Sequence, residues 1–307
     1  MRHRDPALNS KVLDLALNGL SNRRISRFLE ISEHCVRIRI DRLAKKALEF
    51  HHHVSHDLRI EEPVAFDGLE NFAGSQYDPN NIQHAIGRDS LFIYDFNFAS
   101  LNRKGHMSPW QRRRLRSLVA KKGRYHTKAI RIATGDILRR LYGKRAPGKI
   151  LLLLSDEHFH YRRALSEDLK CPNIEHKTVS SRACRNYQNI LFSVNHADLL
   201  IRQNTAAFAR ETISFSKTPG SMCQRYALFM VHKNYMCPQF TKRQVRREGA
   251  ELRSPAQRLG LTDRILGFRD IFHWRSSAER IQDMNQDWKC FWNGEVPAKY
   301  HRSLRSS

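Results

Sequence analysis

The stretch Lys149-Ile150-Leu151-Leu152-Leu153-Leu154-Ser155-Asp156-Glu157 decides how this chain is read. Its five consecutive apolar residues, Ile150 to Leu154, are too few to span a membrane and too unbroken for a half-exposed strand. They predict a buried central strand of a sheet. Asp156 then arrives at the strand's end, where a carboxylate can hold a metal at a sheet edge. The competing reading is an Asp that caps the next helix.

Working outward, the first question is whether another strand delivers a second carboxylate. Pro63-Val64-Ala65-Phe66 leads into Asp67 and then Gly68-Leu69-Glu70-Asn71-Phe72, which reads as a strand carrying an acid. Asp67 is the candidate partner of Asp156. A further strand is expected over Ser90 to Phe98, with Tyr77-Asp78-Pro79-Asn80-Asn81 as a loop before it. After Asp156, Tyr161 to Leu169 reads as a short helix and Ile174 to Ser181 as one more strand. A long apolar strand, a helix and a strand in that order predict an α/β sheet with crossover connections.

Charge narrows the partner. The 307-residue chain carries 54 Lys and Arg against 30 Asp and Glu, a formal net charge of +24, which calls for a polyanion rather than a small acidic substrate. The bias peaks between residues 102 and 149, where sixteen Lys or Arg face the single acid Asp136. That segment includes Arg112, Arg113, Arg114, Lys121 and Lys122, and Leu115, Leu118, Ile130, Ile137, Leu138 and Leu141 give it a helical apolar stripe. It is expected to be folded and to bind nucleic-acid phosphates.

The six cysteines form no Cys-x-x-Cys pair, which argues against a zinc ribbon or a disulfide scaffold and for a reducing compartment. No signal peptide or membrane-spanning run is evident, so a cytoplasmic protein associated with the nucleoid is expected, with no membrane partner.

Residues 7 to 48 read as three helices, with Ser21 capping the second and Ser32 the third. This is helix-turn-helix spacing, and it would present His34 and Arg37 of the third helix to the major groove. His51, His52, His53 and His56 read as a linker rather than a zinc site. The expected organisation is therefore a helix-turn-helix domain at 1–50, a linker at 51–62, a large domain at 63–240 and a C-terminal extension at 241–307. Residues 187 to 232 read as predominantly helical up to a break at Pro219-Gly220, and 256 to 272 as helix-forming. Trp274, Trp288 and Trp292 are expected in a satellite core.

On the predicted helix after residue 187, Asn195, Asp198, Leu199 and Arg202 fall at i, i+3, i+4 and i+7, hence on one face. Ser193-Val194-Asn195-His196-Ala197-Asp198-Leu199-Leu200-Ile201-Arg202, followed by Arg210-Glu211-Thr212-Ile213-Ser214-Phe215-Ser216-Lys217-Thr218, resembles the C-terminal catalytic helix of small transposases that end in a Phe-Ser-Lys signature. With Asp67 and Asp156, the order resembles that of bacterial insertion-sequence transposases of the DDE/RNase H-like superfamily over roughly residues 10 to 235. The resemblance implies an α/β fold, namely an RNase H-like mixed sheet flanked by helices, preceded by an all-α helix-turn-helix domain. It also implies binding of double-stranded DNA at element ends and target, and assembly as a homo-oligomer on DNA. The implied chemistry is strand cleavage and transfer with two Mg²⁺ or Mn²⁺ ions held by Asp67 and Asp156.

The family's third catalytic residue is usually Glu with a basic residue seven positions on; here that position is Asn195, paired with Arg202 as a phosphate contact. Asp198, one turn along, and Glu211 are the other candidates. Relatives often carry a cysteine zinc ribbon before the helix-turn-helix, and none precedes it here, which suggests a shortened reading frame. Two alternatives stay open: a non-enzymatic helix-turn-helix regulator, and a transposase relic that keeps the fold without catalysis.

Overall fold

The computed structural model describes residues 5–209, 213–239, 251–275 and 277–297, with the side chain of Lys122 left aside. The fold is α/β, a five-stranded mixed sheet flanked by helices, compatible with an RNase H-like arrangement. The strands are β1 (Val64–Phe72), β2 (Pro79–Gly87), β3 (Ile93–Ser100), β4 (Leu151–Asp156) and β5 (Ile174–Val179). They lie in the order β3-β2-β1-β4-β5. β1, β2 and β3 pair antiparallel in sequence, whereas β4 returns parallel to β1 and β5 parallel to β4.

The apolar run thus does form the central strand, beginning one residue later than its first apolar position. Ile150 lies outside β4 and is exposed, while Leu151, Leu153 and Leu154 are buried. The expected strands at β1, β3 and β5 also form. One strand was not expected: Pro79-Asn80-Asn81, read as a loop, opens β2. Its polar residues point away from a strand by propensity. Backbone pairing on both sides overrides that preference, because β2 lies between β1 and β3, and one of its amides reaches the next layer. Gln83 donates to Thr134 Oγ1 at 2.8 Å and to the carbonyl of Ile130 at 3.3 Å.

Helices cover both faces. On one side α5 (Ala129–Gly143) packs on β2 and β3, burying Ala133, Ile137, Leu138 and Leu141, and α6 (Phe159–Arg163) places Tyr161 against Phe66. On the other, α7 (Phe192–Asn204) covers β1 and β2, and α8 (Pro219–Val231) lies against β3. Pro219 does not end the helical segment. It stands in the first turn of α8, where its missing N–H costs nothing, behind the Thr218 cap. The break comes earlier, at Thr205, and residues 210–212, including Glu211, lie outside the described residues.

The N-terminal helices form where the caps predict: α1 (Leu8–Leu17), α2 (Asn22–Phe28) behind Ser21, and α3 (Glu33–Val54) behind Ser32. The expected linker at 51–62 needs correction at its start, since 51–54 are the last turn of α3. His51 is fully buried between Phe92, Tyr235 and Trp288, and burial holds its pKa down at about 3. α3 packs along α8, so the N-terminal helices share one continuous apolar core with the sheet.

Beyond residue 250 the expected helix at 256–272 reduces to two short pieces, α9 (Pro255–Arg258) and α10 (Phe268–Phe272). They are followed by α11 (Ala278–Asp283) and α12 (Gln286–Trp292). Trp288 belongs to the main core rather than a satellite: it is buried and its indole N–H donates to the carbonyl of Phe96 at 3.0 Å. No helix among the described residues is long and apolar enough to cross a membrane.

Candidate functional site

The parallel β1–β4 ladder pairs Val64 with Leu153 and Ala65 with Leu154. Three residues beyond the first pair on each strand stand Asp67 and Asp156. The ladder ends before them, yet the two carboxylates remain close enough for the charge of Asp156 to act on Asp67. They line a common cavity with Gly68, Glu70 and Asn81 from β1 and β2, His158 and Tyr161 from the β4–α6 corner, and Asn195, Asp198 and Arg202 from α7. Residues from widely separated parts of the sequence therefore meet at one end of the sheet.

Each side chain has a local reason for its position. Asp156 ends β4, and its Oδ1 accepts from the backbone N–H of His158 at 2.9 Å, so it shapes the turn into α6 without being the helix N-cap, which is His158. The capping reading of Asp156 is therefore corrected: it shapes the turn before α6 without capping the helix, and it lines the cavity. Asp67 accepts from the N–H of Gly68 at 2.7 Å and from the Tyr161 hydroxyl at 3.3 Å. Gly68 leaves room for the Asn81 carboxamide lying across it, which a Cβ there would force to shift. Arg202 is anchored to the backbone, donating to the carbonyls of Glu70 at 3.1 Å and Phe208 at 3.5 Å.

Asp67 opens to the cavity but is enclosed by protein on its other sides. Burial pushes its carboxyl up to about 6, the Gly68 N–H and His84 pull it down, and the neighbouring Asp156 and Asp198 push it further up. Burial likewise lifts the Tyr161 hydroxyl far above its ordinary range, so it remains a donor to Asp67. It also depresses the nearby His158. Among the oxygen donors lining the cavity, which include Glu70, Asn81 and Tyr161, the four expected from sequence are the Asp67, Asp156 and Asp198 carboxylates and the Asn195 amide. Among the described residues, no three His, Cys, Asp or Glu side chains converge at metal-ligand spacing.

The other expected residues lie elsewhere. Arg112, Arg113, Arg114 and Lys121 are exposed on α4 (Pro109–Lys122), a helix that starts with a Ser108–Gln111 capping box and has no fully buried side chain among the described residues. They do not line the cavity; Arg185 and Arg202 are its arginines. His34 and Arg37 are exposed on the first turns of α3, with an Arg37 guanidinium nitrogen 2.9 Å from His34 Nδ1. Arg39, two residues on from Arg37, is buried instead and holds the Asn9 side chain and the Asp5 carbonyl.

Sequence reading passed over Tyr161, His158, Asn81 and His84. For Asn81 the available signal was the polar-apolar-polar alternation Asn81-Ile82-Gln83, hidden by the Pro79-Asn80 start; for His84 there was none. No protein-family model matches the chain, and no curated protein matches it.

Proposed function

We infer that this protein is a transposase-like DNA strand-transfer enzyme of the DDE/RNase H-like kind. The observation that carries the reading is the meeting of Asp67, Asp156, Asn195, Asp198 and Arg202 at one cavity at the end of the β1–β4 ladder. The strand order, with three antiparallel strands followed by two parallel ones, supports it. A purely regulatory DNA-binding protein gives no reason for desolvating Asp67 beside two other carboxylates.

The donor set suits Mg²⁺ or Mn²⁺. All four candidates offer hard oxygen, and Mg²⁺ is commonly held by one or two carboxylates together with its own waters and substrate phosphates, so a three-residue protein cage is not required. Bound there, such ions would activate the attacking water or 3′-hydroxyl and neutralise the departing oxygen. Asp67 and Asp156 would be the metal-holding pair, and a cation between them would offset the like-charge cost now borne by Asp67. For the third position the electrostatics favour Asp198 over Asn195, because Asp198 is a carboxylate that already acts on Asp67. Asn195 would then orient substrate from the same helix face.

DNA would lie across the cavity mouth and along α4, whose Arg112, Arg113, Arg114 and Lys121 contact phosphates, with Arg185 and Arg202 nearer the scissile bond. α1 to α3 would act as a helix-turn-helix, with His34 and Arg37 towards base edges, and the protein would work as a homo-oligomer on DNA. The test is Mg²⁺-dependent nicking of DNA carrying candidate element ends. Asp67→Asn and Asp156→Asn should each abolish cleavage while leaving duplex binding intact; full nicking by either variant refutes the assignment. A folded wild-type protein that binds DNA but never nicks it would instead be the catalytically silent relic.

A further inference from the structure

His84 stands directly across from Asp67 in the β1–β2 register and is completely buried. Each of its ring nitrogens is faced by a different partner. Nδ1 lies 2.5 Å from the Tyr226 hydroxyl on α8, and Nε2 lies 3.2 Å from Oδ1 of Asp198 on α7. Tyr226 is itself fully buried, its ring packed 4.5 Å from that of Phe96. Burial lifts its hydroxyl far above the ordinary phenol range, so it keeps its proton and has an O–H available to donate to Nδ1. A neutral imidazole has one N–H; with Nδ1 accepting, that proton sits on Nε2 and points towards Asp198.

The second half of this chain is nearly closed. His84 Nε2 and Asp198 Oδ1 are at ion-pair distance but out of hydrogen-bond alignment, and neither atom completes a hydrogen bond within the protein. Buried polar atoms left in that condition are costly, so a small rotation of the Asp198 side chain that closes the bond is favoured.

We propose that Tyr226 and His84 are positioning residues, a hydrogen-bonded relay from the protein core that fixes the Asp198 carboxylate on the cavity wall opposite Asp67 and Asp156. Tyr226 O–H donates to His84 Nδ1, His84 Nε2–H donates to Asp198 Oδ1, and Oδ2 is left to serve the cavity. The relay ties three elements together at the site: β2 through His84, α7 through Asp198 and α8 through Tyr226. It rests on the strand-transfer reading of the cavity, in which Asp198 is the third carboxylate acting beside the Asp67–Asp156 pair. Outer partners of this kind typically change metal affinity about 10- to 100-fold when removed.

The experiment uses the full chain. In metal-free protein labelled with ¹⁵N-histidine, the resonance that disappears in His84→Gln should report an Nε2–H tautomer, and it should shift in Tyr226→Phe, which keeps the ring packing. Mn²⁺ titration followed by electron paramagnetic resonance should then give roughly tenfold weaker binding in His84→Leu and a measurable loss in Tyr226→Phe. His84→Gln, which restores an N–H near Nε2, should recover most of the affinity. Thermal melts check folding; if His84→Leu does not fold, Tyr226→Phe carries the test alone. An Nδ1–H tautomer, or unchanged Mn²⁺ affinity in folded Tyr226→Phe, overturns the relay while leaving the strand-transfer reading intact. Wild-type protein that binds no Mn²⁺ and nicks no DNA defeats that reading, and the relay with it.

Discussion

Asp67 is the residue at which burial and function conflict most openly. Its folded-state carboxyl titrates near 6 against an ordinary 3.8, so between those values the folded protein holds a proton that the unfolded chain has released. Stability is therefore fully present below about pH 4 and is lost as pH rises through about 6, a loss of about 3 kcal/mol if the whole shift is expressed. In metal-free buffer, Asp67→Asn should be more stable than wild type at pH 7.5 by a sizeable part of that amount, and the difference should vanish near pH 4. Denaturant melts in EDTA across that range check it. Gly68→Ala makes a second test, since its methyl meets the Asn81 side chain. It should cost about 1–3 kcal/mol through overpacking and lower activity by displacing Asn81 from the cavity wall. At this scale Asp67 and Asp156 were legible because an acid at the end of an apolar strand is unusual. His84 was not, because a histidine gains its meaning only once the strand opposite is known.

Among the elements, the apolar strand and the caps were readable from local rules, whereas β2 was not. Asn80, Asn81, Gln83 and His84 contradict strand propensity and are held by β1, β3 and α5, neighbours that no local window contains. The cationic segment divides in a way the sequence only partly signals. Its apolar positions concentrate in α5, which is core, while α4 takes arginines and has no fully buried side chain among the described residues. Since these three side chains are exposed, Arg112→Ala, Arg113→Ala and Arg114→Ala combined should leave the melting temperature within a degree or two. Each phosphate that α4 no longer neutralises should reduce the slope of log affinity against log salt by about 0.9, so the triple variant should flatten it by up to about 3. Fluorescence anisotropy with duplex DNA across a salt series measures this; an unchanged slope would remove α4 from the interface.

For the molecule as a whole, the sequence suggests separable parts where the structure has a common core. Composition marks the N-terminal helices and the tail beyond residue 240 as distinct, yet α3 and α12 both pack on the body of the fold. Arg140 of α5 bridges Asp95 on β3, at 2.5 Å, and Asp287 on α12, at 3.0 Å, joining the C-terminal helix to the sheet through buried charges. Asp287→Ala removes one charged hydrogen bond while Asp95 still compensates Arg140, and should destabilise the protein by about 1–3 kcal/mol, seen as a lower denaturation midpoint in a single transition. Removing residues 1–48 should likewise cost folding rather than release a nonspecific DNA binder, so the proposed helix-turn-helix is better probed by His34→Ala and Arg37→Ala.

The central claim, that the cavity between β1, β4 and α7 cuts and joins DNA strands, is tested most directly by a plasmid-nicking assay in Mg²⁺ with wild type, Asp67→Asn and Asp156→Asn side by side. Mg²⁺-dependent nicking by the wild type, absent from both variants although they still bind duplex DNA, is the predicted result. Equal nicking by all three proteins would contradict it.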